Sequence, residues 1–518
     1  MGTLGIGNGA VFQLVPQRFR NEIGVMTGLV GFAGGVGGFY LASSLGFAQK
    51  YTGSSSAGFL IFAGLAVVAL LGLNLVKGRW RSTWAGDSGA LPQRHRNGGA
   101  RGMSGVHEPP ENIMSMTRFA AAGIVIPAAL AATPVFASDG DPVAIGEDMT
   151  LDLTLDARLR HEAVEQANLP ADAEALTLRL RFGGEIKLSG LSLLGEVEST
   201  RAFASDYNDT LPGNGIEPFP VVADPENIEI NRLQVSYLKD GTGVTLGRQR
   251  IVLDNARFVG NVGWRQNEQT FDAVRGQAKL GPVALDATWS ISQRTMFGTD
   301  SPNEHFDGDL VLLNGGIKLP VVEAKAFAYL IDYDTRLAFS SQTYGVLAKG
   351  DIPLGPVKLS ALASYARQSD YGANLLAYDA EYFNAQLGLA LFGFTVTGGY
   401  EELGSDGGVA AFQTPLATLH AFNGWADLFL TTPANGLRDY YAGIGKAFAL
   451  PFLPGLKADV TYHEFDSDFG GFAYGSEWDA SLGLRLGPVG LLAKYADYDA
   501  EGFGTDTRKV WLQAEVGF

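Results

Sequence analysis

The sequence predicts an all-β fold, a transmembrane antiparallel β-barrel of about 18 strands with about 16 as the lower bound. A two-helix membrane segment and an internal signal peptide are predicted ahead of it. Three observations predict the barrel. Long stretches alternate apolar and polar residues with period two; a tight turn recurs at regular intervals; and Gly 68 with 11% aromatic but only 18% charged residues suits short turns and interfacial aromatics.

The alternation begins at residue 151. Leu151, Leu153, Leu155, Ala157 and Leu159 alternate with Asp152, Thr154, Asp156, Arg158 and Arg160. Leu176, Leu178, Leu180 and Phe182 alternate with Thr177, Arg179 and Arg181. In a membrane barrel one such face meets lipid and the other the lumen. Only a closed barrel satisfies strand hydrogen bonds in lipid, so the strands imply closure.

The turns give the count. LSGL at 188–191, KDGT at 239–242, LGPV at 280–283 and LPV at 319–321 come first. LGPV at 354–357, LFGF at 391–394, LPGL at 453–456 and LGPV at 486–489 follow. Eight short turns on the periplasmic side imply nine hairpins. Three long segments break the rhythm, 200–227, 253–269 and 404–438, and such loops lie outside or fold into the lumen.

The chain ends in RKVWLQAEVGF, residues 508–518, with Val510, Leu512, Ala514, Val516 and Phe518 on one face. A terminal strand ending in Phe518 resembles the signal by which bacterial outer-membrane barrels are assembled. That resemblance implies the barrel assembly machinery as a partner, with outer-membrane lipid and lipopolysaccharide around the wall.

Charge divides the chain in two. Residues 1–137 carry 10 basic and 4 acidic residues; the remainder carries 38 − 10 = 28 basic and 55 − 4 = 51 acidic. So acidic a C-terminal part, without a basic block, excludes nucleic acid as a partner. The absence of cysteine excludes disulfides, zinc–thiolate sites and Cys nucleophiles.

The first 86 residues read as two membrane helices, 25–45 and 58–76, each long enough to span. Gly31, Gly34, Gly35 and Gly38 would let helices approach closely. Arg18 and Arg20 before the first span and Lys77, Arg79 and Arg81 after the second place both ends in the cytoplasm. The segment GIGNGAVFQLVP at 5–16 resembles the glycine-rich signature of nitrate/nitrite transporters of the major facilitator superfamily. The resemblance covers their last two helices, so a remnant without transport activity is implied. Residues 87–113 form a polar linker. Residues 114–137 read as a signal peptide, with Arg118 in its basic region, 119–132 as its apolar stretch and Val135-Phe136-Ala137 as the cleavage site before Ser138. The barrel is then 138–518, with Met114 or Met116 as the simplest true start.

The segment LGRQ at 246–249 with QTFD at 269–272, and LHAFNGWAD at 419–427 with Thr432-Pro433 and GLRD at 436–439, resemble the alginate export family of outer-membrane channels. The resemblance covers roughly 148–518 and implies an 18-stranded channel for an anionic, alginate-like saccharide. Guanidinium pairs bidentately with carboxylates, one of which each uronate sugar carries. Parity places Arg158, Arg160, Arg179 and Arg181 on the non-lipid face. Arg248, Arg250, Arg257, Arg265 and Arg275 are candidates for the same lining or an inward loop. On this reading Arg248→Glu and Arg265→Glu lower anion preference. The plainer reading is that these arginines pair with lumen acids such as Asp152, Asp156 and Glu196 and brace the wall.

Enzymatic motifs are lacking. His161, His305, His420 and His463 accompany no GxSxG or HExxH pattern, so no catalytic residue and no cofactor is assigned. His463 and Glu464 beside Asp466 and Asp468 could hold a divalent ion, as could Asp497, Asp499, Glu501 and Asp506, but solvated acidic loops are the commoner case. No metal site is assigned. Rival functions are a general porin for small hydrophilic or aromatic acids, a nitrate transporter fragment in the inner membrane, and a structural or adhesive barrel.

Overall fold

A computed structural model describes residues 142–145, 148–212, 218–450 and 453–517. The expected membrane helices, linker, signal peptide and Ser138 cleavage site, and the terminal Phe518, lie outside the described residues.

The strands are β1 (Val143–Ala144), β2 (Met149–Gln166), β3 (Ala173–Leu188), β4 (Leu191–Asp206), β5 (Asn227–Lys239) and β6 (Thr242–Gln249). Next come β7 (Thr270–Leu280), β8 (Val283–Arg294), β9 (His305–Lys318), β10 (Val322–Tyr333), β11 (Ser341–Leu354) and β12 (Val357–Asp370). The last are β13 (Asp379–Leu391), β14 (Phe394–Leu403), β15 (Leu437–Ala447), β16 (Lys457–Asp466), β17 (Ala473–Leu486), β18 (Val489–Ala500) and β19 (Thr507–Gly517). From β2 onward each strand pairs antiparallel with the next. β19 closes the ring on β2, from Thr507↔Gln166 to Gly517↔Asp156. The ring therefore holds 18 strands, with β1 as an extra. β2 runs on past the end of β19, and β1 covers part of that open edge through Val143↔Leu151 and Ala144↔Thr150.

The eight short turns fall where the sequence places them, all at one end. Gly281, Gly355 and Gly487, each before a proline, have φ between 58° and 66°, the first position of a type II′ turn. Asp240-Gly241 has φ of 52° and 76°, a type I′ turn, whose backbone twist matches that of the strands.

Alternation separates two faces. Leu159, Leu180, Phe182, Leu193 and Leu512 belong to an exposed apolar row, while their sequence neighbours are buried inside. Toward the long-loop end the outer face carries aromatic rings with polar tips. Tyr365 donates its hydroxyl to Glu381 at 2.8 Å and Tyr495 to Asp497 at 2.8 Å. Tyr400 and Tyr462 donate to Glu402 and Glu464, and Trp289 Nε1 to Asp309 at 2.9 Å. Each acceptor sits nearer the loops than its ring, so this belt marks where an apolar surrounding gives way to a wet one.

Candidate functional site: the barrel interior and its two folded-in loops

Two long connections turn inward, loop 250–269 between β6 and β7 and loop 404–436 between β14 and β15. They are joined to each other by backbone. Val259 bridges Leu416, Gly260 N–H donates to Leu416 O at 2.8 Å, and Thr418 N–H to Ala256 O at 3.0 Å. A Cβ on Gly260 would stand 2.1 Å from Thr418 Oγ1, so the seam needs glycine there.

Both loops are also tied to the wall. Arg158 of β2 donates through Nη1 to the carbonyls of Gly263, Trp264 and Arg265. Gln266 reaches Thr177 of β3; Asn423 reaches Glu401 of β14 and Asp439 of β15. Ala426 N–H donates to Glu477 of β17 at 2.7 Å. An apolar core lies beneath: Ile251, Val259, Phe412 and Leu416 pack with Phe327 of β10 and Tyr382 of β13. These inward aromatics have the same spacing as lipid-facing ones, so alternation alone does not separate a loop-packing wall residue from an outer one.

The candidate arginines separate by position. Arg158, Arg160, Arg179 and Arg181 lie on the interior face of β2 and β3, at most 10% exposed as side chains. Arg158 and Arg179 share Glu515 Oε1, at 3.0 Å each. Arg179 also meets Asp156, Arg160 meets Gln513, and Arg181 meets Glu198. Arg257 and Arg265, in loop 250–269, are equally buried. Arg257 pairs with Glu401 at 2.8 Å; Arg265 pairs with Asp427 at 2.9 Å and Glu162 at 3.1 Å. Burial alone would lower the Arg257 pKa, but Glu401 and Tyr382 outweigh it and hold it above its usual value.

Of the candidate arginines on the interior side, Arg250 and Arg275 are the more accessible. Arg250, 30% exposed, meets Glu268, and Arg275, 16% exposed, meets Asp286 at 2.6 Å. Arg232 of β5, which sequence reasoning passed over, is 18% exposed and meets Glu196 at 2.6 Å, a carboxylate that Arg250 also approaches at 3.8 Å. Arg248 departs from the set. It is in register with Leu233 and Asp272, and Leu233 is among the exposed apolar residues, so Arg248 lies on the outer face with Asp272 at 2.8 Å.

Parity also parts His463 from Glu464. His463 faces inward to Asp439 at 2.9 Å, while Glu464 takes the hydroxyl of the outer Tyr462. Among the described residues no group of His and acids is arranged to hold a metal.

Asp, His, Lys and Trp side chains gather where the loops meet β18 and β19. His420 Nδ1 lies 2.8 Å from Asp427, its Nε2 lies 2.7 Å from Lys494 Nζ, and its ring stacks on Trp264 at 4.5 Å. Lys494 also lies over Trp264 and Trp425. Alternation could place Lys494 and Lys509 inside; nothing in the sequence pairs them with a loop histidine.

Residues 149–310 match the family model for alginate export. The fold is that of outer-membrane barrels in solved structures. OccAB3 of Acinetobacter baumannii is 15% identical, with a TM-score of 0.57 over 71% of this chain and 99% of that one. OccK9 (OpdG) of Pseudomonas aeruginosa is 16% identical, with a TM-score of 0.55 over 71% and 98%. The outer membrane protein opdK of Pseudomonas aeruginosa is 13% identical, with a TM-score of 0.55 over the same shares. The N-terminal part is similar to the probable nitrate transporter NarT of Staphylococcus carnosus, 45% identical over 67 residues. That match is 13% of this chain and spans only 17% of the relative's length.

Proposed function

We propose that the chain is a channel of the outer membrane that passes anionic solutes by diffusion, not an enzyme. The observation that carries this is the set of part-exposed interior arginines, Arg232, Arg250 and Arg275. Arg250 and Arg275 each meet a carboxylate through two guanidinium nitrogens, the geometry that a solute carboxylate would offer. Lipid and lipopolysaccharide outside, and the assembly machinery through Phe518, belong to the same reading.

Solute size follows from the loops. Ile251, Leu253, Val259, Trp264, Phe412, Leu416 and Phe429 are buried in the interior core. At roughly 1.5–3 kcal/mol for each buried side chain, swinging both loops aside costs on the order of 10 kcal/mol or more. Thermal displacement on that scale is too rare to pass a polymer. The reading favoured is therefore small carboxylate solutes. An alginate-like acidic saccharide is the second reading, favoured by the family match over 149–310.

Planar-bilayer recording of the chain isolated from outer membranes tests this. Anion-preferring channels blocked by small aromatic or hydroxy acids are expected, with Arg250→Glu and Arg275→Glu lowering anion preference and Arg248→Glu leaving it unchanged. Block by oligouronates alone supports the saccharide. Absence of conductance points to a structural barrel.

A further inference from the structure

We propose that His420 is an acid-operated latch, whose protonation breaks the contact with Lys494 and loosens the tip of loop 404–436 on the barrel wall. The role rests on the channel reading for its consequence, a change in conductance, but not for the latch itself.

With Lys494 charged, its ammonium has donors and no acceptor, so in the 2.7 Å contact Nε2 of His420 accepts from Lys494. The ring proton then sits on Nδ1 and is donated to Asp427 at 2.8 Å. The latch holds only while His420 is neutral. Its ring is 6% exposed and stacked on Trp264, so a second charge there would be poorly solvated.

The surroundings decide what an added proton does. Loop 404–436 contributes Asp427, and loop 250–269 contributes Arg265, 2.9 Å from that same carboxylate. β19 contributes Lys509, 3.0 Å from Asp427, and β18 contributes Lys494. Arg160 and Glu162 of β2 and Asp479 of β17 face Lys494. Asp427 thus already answers two cations besides the histidine. A protonated His420 would place two like charges in direct contact, with Nε2–H directed at an ammonium. Burial, and then Lys494 and Arg265 working against Asp427, push the His420 pKa well below its usual value. The latch therefore stays shut at neutral pH and opens under acid.

Every side chain of the Asp427–His420–Lys494 set is buried. What the three also share is position: His420 and Asp427 flank the tip of the loop that Trp425 and Ala426 seat on Asp479 and Glu477.

Two readouts on the chain isolated from outer membranes test the proposal between about pH 7 and about pH 4. Tryptophan emission follows the cage around Lys494, and bilayer current follows the loop. The expected result is a reversible red shift with a step in conductance, both lost in His420→Gln. Glutamine can accept from Lys494 and donate to Asp427 but takes up no proton. Lys494→Met, which removes the opposing charge, is expected to abolish the transition too and decides the matter if His420→Gln does not fold. A flat emission profile in the native chain, or an unchanged transition in a folded variant, overturns the latch. An emission shift without any conductance leaves the latch standing and removes the channel reading.

Discussion

Arg158 and Arg179 stand directly opposite each other across β2 and β3. Like charges at that spacing repel, and both are buried, so the pair persists through what lies between. Glu515 Oε1 is 3.0 Å from each guanidinium, and it sits on the strand that closes the ring. Removing a charge from a buried ion network costs about 3–5 kcal/mol, since the partners stay buried without compensation. Glu515→Gln is therefore expected to lower the unfolding midpoint in urea markedly. Arg275→Ala, at a pair partly open to solvent, should change it by about 1 kcal/mol or less. Equal effects would mean that burial does not distinguish the two sets. The same contrast says what a solute can reach: Arg181 is 10% exposed, while Arg250, though also paired, is 30% exposed.

At the scale of elements, the seam between the loops is the sensitive point. A methyl at Gly260 would clash with Thr418 Oγ1 at 2.1 Å and with Ala256 Cβ at 2.9 Å. Gly260→Ala should therefore part the loops and raise single-channel conductance, and adding Thr418→Ala, which removes the nearest opposing atom but leaves Ala256 Cβ, should restore it in part. Unchanged conductance in Gly260→Ala would mean the seam does not border the path. This element was partly legible beforehand. Turns built on Gly and Pro announced the eight short connections, four of them through Gly–Pro or Asp–Gly, which demand particular backbone angles, and alternation placed the β2 and β3 arginines inside. The seam was invisible, because it pairs residues such as Val259 and Leu416 that are remote in sequence and carry no periodic signal. Arg248 lay beyond pattern reading for a related reason: its side is set by the register of β5, β6 and β7, and not by its arginine-rich neighbourhood.

For the whole molecule, the decisive property is that one wall serves two solvents. β19 shows both in successive residues: Leu512 is 55% exposed on the outer face, and Gln513 is buried inside, accepting from Arg160 at 2.7 Å. Stability should then depend on face far more than on residue type. An arginine at the middle of the lipid face costs roughly 2–4 kcal/mol, because its charge must leave water or drag water with it. Leu512→Arg is expected to lower folding stability in bilayers by that amount. Gln513→Arg places the same charge among Arg160, Glu515 and Glu162, where acids can answer it, though crowding against Arg160 makes it costly in its own way. Removal of the neighbouring charge separates the two causes. Salt screens buried cations little, but the repulsion from Arg160 disappears when that guanidinium is removed, whereas the cost of putting a charge in lipid does not. Folding equilibria should show Gln513→Arg recovering when Arg160→Gln is added and Leu512→Arg unmoved by it. Recovery of Leu512→Arg would place that residue in a wet interior and overturn the assignment of faces on which the channel reading depends.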